Sequence, residues 1–145
     1  LGVAETSFEG QGPMWLEAIA IDPVAFPRLE LRPTAEGRLE LDWAPLVNWL
    51  LQAPPTTHAD RADRAGAVHA SLADGIVQVA ERLRDQSGSS IVGLTGGVFQ
   101  NRRLTEAALA GLSARGFDVL LPVQLPCNDG GLSYGQVADF IGRTV

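Results

Sequence analysis

Two glycine pairs, each flanked by polar residues, are the segments of this sequence best suited to bind a ligand. The first pair lies in LTGGVFQN (residues 94–101), and the second lies in NDGGLSYGQ (residues 128–136). A glycine pair allows positive φ and lets a ligand approach the backbone closely. At a helix start it also leaves backbone N–H groups unpaired, and such groups bind anions and nucleotides. The two turns together predict one nucleotide-binding crevice.

The elements around the two turns are predicted to form a β-α-β-α unit. Residues 90–95 are rich in β-branched side chains and indicate a buried strand, and residues 117–121 indicate a second strand. Asn101 is expected to cap a helix over 102–115, and a last helix is expected over 132–141. Because crossover connections are right-handed, the strands should be parallel neighbours. Both glycine pairs would then follow the carboxyl ends of strands, where open α/β sheets bind ligands.

The rest of the chain is expected to support this unit within a single α/β lobe that spans residues 1–145. Residues 1–53 form its irregular and helical part, and residues 60–145 form the part that carries the nucleotide site. A short helix is predicted at 14–20, with Pro13 in its first position. Four further segments are predicted: an extended loop at 22–37, a short strand at 38–41, a helix at 43–52 after Asp42, and a proline-rich loop at 52–60.

A long amphipathic helix is predicted over residues 60–86, ended by Gly88. Its core-facing stripe would consist of Val68, Leu72, Ile76, Val79 and Leu83. In the following helix, Leu104, Ala108 and Leu112 are expected to point inward.

The composition is that of a globular domain, with 46% apolar and 19% charged residues in 145. The net charge is −6 and the sequence contains no lysine, which argues against a nucleic-acid surface. No apolar run approaches the roughly 20 residues that span a membrane. Cys127 is the single cysteine and cannot form an internal disulfide, so the sequence predicts a protein of the reducing cytoplasm. From the charge and the absence of a long apolar run, no nucleic acid or membrane partner is expected.

Asp129, which directly precedes the second glycine pair, is the candidate catalytic and metal-binding carboxylate. An Asx turn or a helix cap is the alternative interpretation. His58 and His69 are eleven residues apart, roughly 16 Å along one helix, so they cannot bind one metal as a local pair. His69 is instead expected to be packed or partly buried. Cys127 with His69 could act as nucleophile and base, but no third residue orients them.

Five blocks of the sequence, in order and spacing, resemble the C-terminal domain of the HypF family, the carbamoyltransferases that mature nickel-iron hydrogenases. The similarity covers nearly the whole chain and is densest from 93 to 136. The blocks are FEGQ (8–11) with LEA (16–18), VH (68–69), GLTGGVFQN (93–101), ARGF (114–117) and PCNDGGLSYGQ (126–136). The family motif has an aromatic residue where this chain has Val68.

The resemblance implies the second lobe of an actin/sugar-kinase/Hsp70-like fold. The whole enzyme would form carbamoyl-adenylate from carbamoyl phosphate and ATP, and transfer the carbamoyl group to the C-terminal cysteine of a HypE-like partner. That group later becomes the cyanide ligand of the nickel-iron centre. The residues implied to contact the adenylate are Gly96, Gly97, Asn101, Gly130, Gly131, Gly10 and Gln11.

The resemblance also implies that Asp129 helps to hold a divalent zinc or iron ion, whose histidine ligands belong to the first lobe. That lobe is not in this sequence, so the chain alone is expected to be inactive. Two alternatives stay open. One is a lobe of another kinase or ATPase of the same fold. The other is a non-catalytic docking module that uses the proline-rich loops at 22–37 and 52–60.

Overall fold

The longest helix, His58–Ser87 with thirty residues, is the element against which three other helices and one strand pack. The computed structural model describes residues 5–52 and 54–144. Two short 3₁₀ turns, Gly97–Gln100 and Asp129–Gly131, precede the last two helices. In chain order the elements are α1 (Gln11–Ile19), β1 (Glu30–Pro33), β2 (Leu39–Asp42), α2 (Ala44–Gln52), α3 (His58–Ser87), β3 (Ile91–Gly93), α4 (Arg102–Ser113), β4 (Asp118–Leu120) and α5 (Leu132–Thr144).

Helix α3 begins two residues before its predicted start because a capping box fixes its first turn. The Thr57 hydroxyl accepts from the Asp60 N–H, and the Asp60 carboxylate accepts from the Thr57 N–H. Hydrogen bonds from Thr57 and then from Thr56 lower the pKa of Asp60 to about 2. At the other end, Gly88 adopts φ +74°, as predicted for the residue that ends this helix.

The predicted apolar stripe of α3 is not its most deeply buried face. Leu72 and Ile76 are half-buried and pack against the core, as expected, whereas Leu83 is exposed, so the expectation of a core-facing stripe is only partly confirmed. Most of the buried residues are small, and His69 and Val77 are buried with them, because short side chains let neighbouring groups approach the helix closely. A Cβ at Gly66 would lie 1.9 Å from the Ile21 carbonyl oxygen. The buried positions are Ala62, Ala65, Gly66, Ala67, His69, Ser71, Ala73, Gly75, Val77 and Ala80.

A β-hairpin replaces part of the loop predicted at residues 22–37. Strands β1 and β2 pair antiparallel, with Leu31 opposite Leu41. Arg32 forms ion pairs with Glu30 and with Asp42 across the hairpin. The prolines had indicated a loop, but Pro33 lies at the end of β1, where a missing N–H is tolerated.

Strands β3 and β4 are parallel neighbours, as predicted, with Val92 opposite Val119. Helix α4 follows its Asn101 cap and buries Leu104, Ala108 and Leu112 against α3, also as predicted. The expectation that β3 is buried was wrong, since Ile91 is 61% exposed. The reason is that β3 has β4 as its one partner strand within residues 5–52 and 54–144.

The two ends of the described chain lie outside this core. Helix α1 begins at Gln11, so Pro13 occupies its third position rather than its first. Every residue of α5 up to Thr144 is exposed. Among the helices that the structure describes, none is long and apolar enough to cross a membrane.

Candidate functional site

A cleft of about 1070 Å³ lies between α1, α3 and the 3₁₀ turn before α4. Three of the predicted site residues, Gly10, Gly97 and Asn101, line it, although they are separated by up to 91 positions in the sequence. Its other lining residues are Glu9, Gly12, Pro13, Met14, Trp15, Leu16, Glu17, Val68, His69, Leu72, Val98, Gln100 and Leu104.

The two residues of the first glycine pair have different tasks. Gly96 adopts φ +109°, which an L side chain rarely reaches, and its N–H donates to the Cys127 carbonyl oxygen over 2.6 Å. Gly97 lacks positive φ, and a Cβ there would meet its nearest heavy atom, the Asn128 Cβ, at 3.9 Å. Gly96 therefore shapes the turn, whereas Gly97 leaves space at the cleft.

The second glycine turn lies beside the first, but it does not line the cleft. The Asn128 side chain, not that of Asp129, caps the 3₁₀ turn by accepting from the Gly130 N–H. A Cβ on Gly130 would lie 3.1 Å from the Pro126 ring, and one on Gly131 would lie 2.9 Å from the Pro126 carbonyl oxygen. Local packing against Pro126 is thus sufficient to explain both glycines.

Asp129 is exposed at the start of this turn. The described residues contain no group of three or more His, Cys, Asp or Glu side chains that could hold a metal ion. The donor set needed for a complete metal site is therefore not assembled by this part of the chain. Asp129 could supply one ligand from its exposed position.

Asn101 is held on both sides of its carboxamide. Its oxygen accepts from the Leu104 N–H at 2.9 Å, and its nitrogen lies 2.9 Å from Nε2 of His69. His69 is 4% exposed, and its Nδ1 lies 2.7 Å from the Ala65 carbonyl oxygen. The expectation of a packed histidine is confirmed. Both ring nitrogens have partners, and neither partner is Cys127.

A carboxylate of the chain itself occupies the N-terminus of α4. Glu17, from α1, accepts from the Arg102 N–H at 2.7 Å and more weakly from the Arg103 N–H at 3.4 Å. This contact satisfies two unpaired N–H groups at the helix start, places a negative charge at the positive end of the helix dipole, and links α1 to α4. Those N–H groups are therefore already engaged within the protein.

The start of α1 forms the opposite wall of the cleft. Gly10 precedes the helix with φ +85°, and Gln11 is its first residue. The Gln11 side chain accepts from the hydroxyl of Ser7 at 3.1 Å and is not a lining residue. Of this pair, only Gly10 reaches the cleft.

The described lining of the cleft is apolar over most of its extent and contains no arginine. Its carboxylates are Glu9 and Glu17, and Glu17 is engaged with α4. Such a surface suits a flat, largely uncharged group that has a few hydrogen-bonding atoms. Within the described residues it offers no cationic side chain to a phosphate chain.

Two residues of this site were not selected from the sequence. His69 was expected to be buried but was not connected to Asn101, although the VH block was noted. Glu17 lies in the LEA block, yet its partner is 85 positions away. Both residues stand in blocks that were singled out in the sequence. Their contacts with Asn101 and Arg102 could not be predicted, because these depend on how α1, α3 and α4 pack together.

The comparisons with known proteins agree on one family. Residues 1–136 match the family described as "Carbamoyltransferase, Kae1-like Domain, second subdomain". The chain is 39% identical over 131 residues to carbamoyltransferase HypF of Rhodobacter capsulatus, covering 90% of this chain and 16% of the relative. It is 34% identical over 144 residues to that of Synechocystis sp., covering 93% of this chain and 17% of the relative.

Two solved structures have the same fold. One is a crystal structure of full-length HypF in the phosphate- and nucleotide-bound form, with a TM-score of 0.81 and 28% identity. The match covers 94% of this chain and 18% of the chain in that crystal structure. The other is HypF of T. kodakarensis, with a TM-score of 0.73 and 28% identity over 98% of this chain and 18% of that one. This chain belongs to the HypF carbamoyltransferase family and corresponds to the second subdomain of its Kae1-like domain.

Proposed function

We propose that the chain is one lobe of a two-lobed carbamoyltransferase domain of the actin/sugar-kinase/Hsp70-like type, and that its cleft holds the nucleoside part of an adenylate. The observation that carries the proposal is the convergence of Gly10, Gly97 and Asn101 on one largely apolar cleft. The similarity to a HypF structure described as phosphate- and nucleotide-bound supports it.

The charge of the cleft decides which part of the nucleotide it would receive. Trp15, Val68 and Leu72 offer an apolar surface for a base, and the described lining supplies no cation for phosphates. The phosphates would therefore be neutralised by groups that do not line this cleft. Gly96, Gln11, Gly130 and Gly131 would act indirectly, by shaping the loops around the adenylate.

In the whole enzyme, carbamoyl phosphate would be hydrolysed to carbamate and phosphate, and attack of the carbamate on the α-phosphate of ATP would give carbamoyl-adenylate and pyrophosphate. The carbamoyl group would pass to the C-terminal cysteine thiol of a HypE-like partner in the cytoplasm, with release of AMP and a proton, as the first step toward the cyanide ligand of a nickel-iron centre. The lobe would bind and orient the adenosine while the other lobe completes the site. Asp129 would be this chain's ligand for a divalent zinc or iron ion shared with that lobe.

The test uses a chimera in which this chain replaces the matching segment of the R. capsulatus enzyme. We expect the chimera to bind ATP in calorimetry and to carbamoylate the C-terminal cysteine of its HypE-like partner, detected by intact mass. A folded chimera that binds no adenine nucleotide would contradict the proposal.

Gly97→Val sharpens this test because its Cβ has space in the fold but narrows the cleft. We expect nucleotide affinity to fall at least about tenfold, a loss of about 1.4 kcal/mol, with little change in stability. Gly93→Val is the matched control, since Gly93 lies in β3 and a Cβ added there would have no heavy atom within 4 Å. Equal affinity in the two variants would show that the nucleotide does not use the space at Gly97.

A further inference from the structure

A relay of hydrogen bonds joins the middle of α3 to the start of α4 beside the cleft. At one end the Ala65 carbonyl can only accept, so Nδ1 of His69 carries a proton. At the other end the Leu104 N–H can only donate, so Asn101 presents its carboxamide oxygen there. The Asn101 nitrogen therefore faces His69, and Nε2 accepts from it. Two backbone groups thus fix both the tautomer of His69 and the orientation of the Asn101 amide.

The relay leaves one donor of Asn101 for a ligand. A carboxamide nitrogen carries two N–H groups, and His69 takes one of them. Asn101 is partly buried and lines the cleft. We propose that His69 is a positioning residue, which through Asn101 holds an N–H donor toward an oxygen atom of the bound nucleotide. This inference rests on the proposed function.

The energetic reason lies in what happens without the histidine. An apolar residue at position 69 would fill the space but offer no acceptor, so one Asn101 N–H would be left buried and unpaired. Such a group costs free energy, and the carboxamide would rotate to find another partner. The donor would then no longer point toward the ligand. A side chain that keeps an acceptor at the Nε2 position would preserve the arrangement.

The test is a double-mutant cycle on nucleotide affinity, measured by calorimetry with AMP and ATP on the same chimera. His69→Leu removes the acceptor, whereas His69→Gln can place an amide oxygen near the Nε2 position. Asn101→Ser retains a good helix cap but removes the carboxamide N–H groups. We expect His69→Leu and Asn101→Ser each to weaken binding about five- to tenfold. His69→Gln should bind within about twofold of wild type.

The double variant His69→Leu with Asn101→Ser should bind no more weakly than Asn101→Ser alone, because His69 acts through Asn101. Losses that multiply, or a folded His69→Leu protein with wild-type affinity and a lowered Tm, would overturn the inference and leave His69 a packing residue. If His69→Leu does not fold, the His69→Gln variant still tests the inference. A folded His69→Gln protein whose nucleotide affinity is tenfold lower than that of wild type would contradict it. Failure of the wild-type chimera to bind nucleotide would instead contradict the proposed function.

Discussion

The molecule contains two units of the same construction, and they differ in what lies against their helices. In the first unit, β3 leads through Gly96-Gly97 to α4. In the second, β4 leads through Gly130-Gly131 to α5. Each turn is a short 3₁₀ segment preceded or followed by a capping asparagine.

Only the helix of the first unit is packed. Leu104, Ala108 and Leu112 of α4 are at most 3% exposed, whereas the large apolar residues of α5 are all more than half exposed. Those residues are Leu132, Tyr134, Val137, Phe140 and Ile141. A glycine turn and a cap thus set where a helix begins, but burial depends on the partner. Helix α3 provides that partner for α4, while α5 has no comparable partner within the described residues.

The largest expected difference between the units comes from removing one large apolar side chain from each helix. Leu112→Ala should destabilise the chain by about 2–5 kcal/mol, because Leu112 is fully buried in the α3–α4 core. Phe140→Ala should change stability by less than about 0.5 kcal/mol, because Phe140 is 70% exposed. Urea denaturation of the two variants measures both values. A large loss for Phe140→Ala would show that α5 is covered in solution.

Some features of the two units could be predicted from the sequence and others could not. The parallel strands, the Asn101 cap and the inward face of α4 follow from local patterns, because strand composition, caps and helical periodicity are local properties. The buried face of α3 could not be found in this way. It depends on the approach of distant backbone to small residues such as Gly66, whereas periodicity favours the larger side chains.

The same distinction applies to the candidate site. The glycine pairs and Asn101 are visible as motifs, and Gly10, Gly97 and Asn101 do converge on one cleft. His69 meets Asn101 from 32 positions away and Glu17 meets Arg102 from 85 positions away, and no local pattern specifies either contact. The hairpin strand β1 was missed for a different reason, since prolines that usually mark loops lie at its margins.

The two capping asparagines give the second prediction. Asn101→Ala removes the acceptor for the Leu104 N–H and leaves Nε2 of buried His69 without its donor. We expect a loss of about 2 kcal/mol, from a cap and an unsatisfied buried acceptor. Asn128→Ala removes only the acceptor for the exposed Gly130 N–H and should cost about 0.5 kcal/mol. Equal shifts in the urea midpoint would mean that the relay to His69 adds nothing to stability.

The third prediction concerns a glycine within each helix. Replacing a helical glycine by alanine gains up to about 1 kcal/mol of helix propensity, and this gain should be similar in α4 and α5. At Gly111 of α4, however, the new Cβ would lie 2.9 Å from the Cγ2 of Val77. A valine on a helix has one preferred rotamer, so it cannot easily turn away. Overpacking of this kind costs about 1–3 kcal/mol, and Gly111→Ala should therefore be destabilising by about 1 kcal/mol.

Gly135→Ala in α5 isolates the propensity gain, because no heavy atom lies within 4 Å of its added Cβ. We expect this variant to be slightly more stable than wild type in urea denaturation, by up to about 1 kcal/mol. The difference between the two variants then measures the overpacking at Val77 alone, since the gain in helix propensity cancels. If Gly111→Ala were stabilising by the same amount, the contact between α3 and α4 would have to relax freely at this point. The packing that distinguishes the first unit from the second would then be looser than the short distance to Val77 indicates.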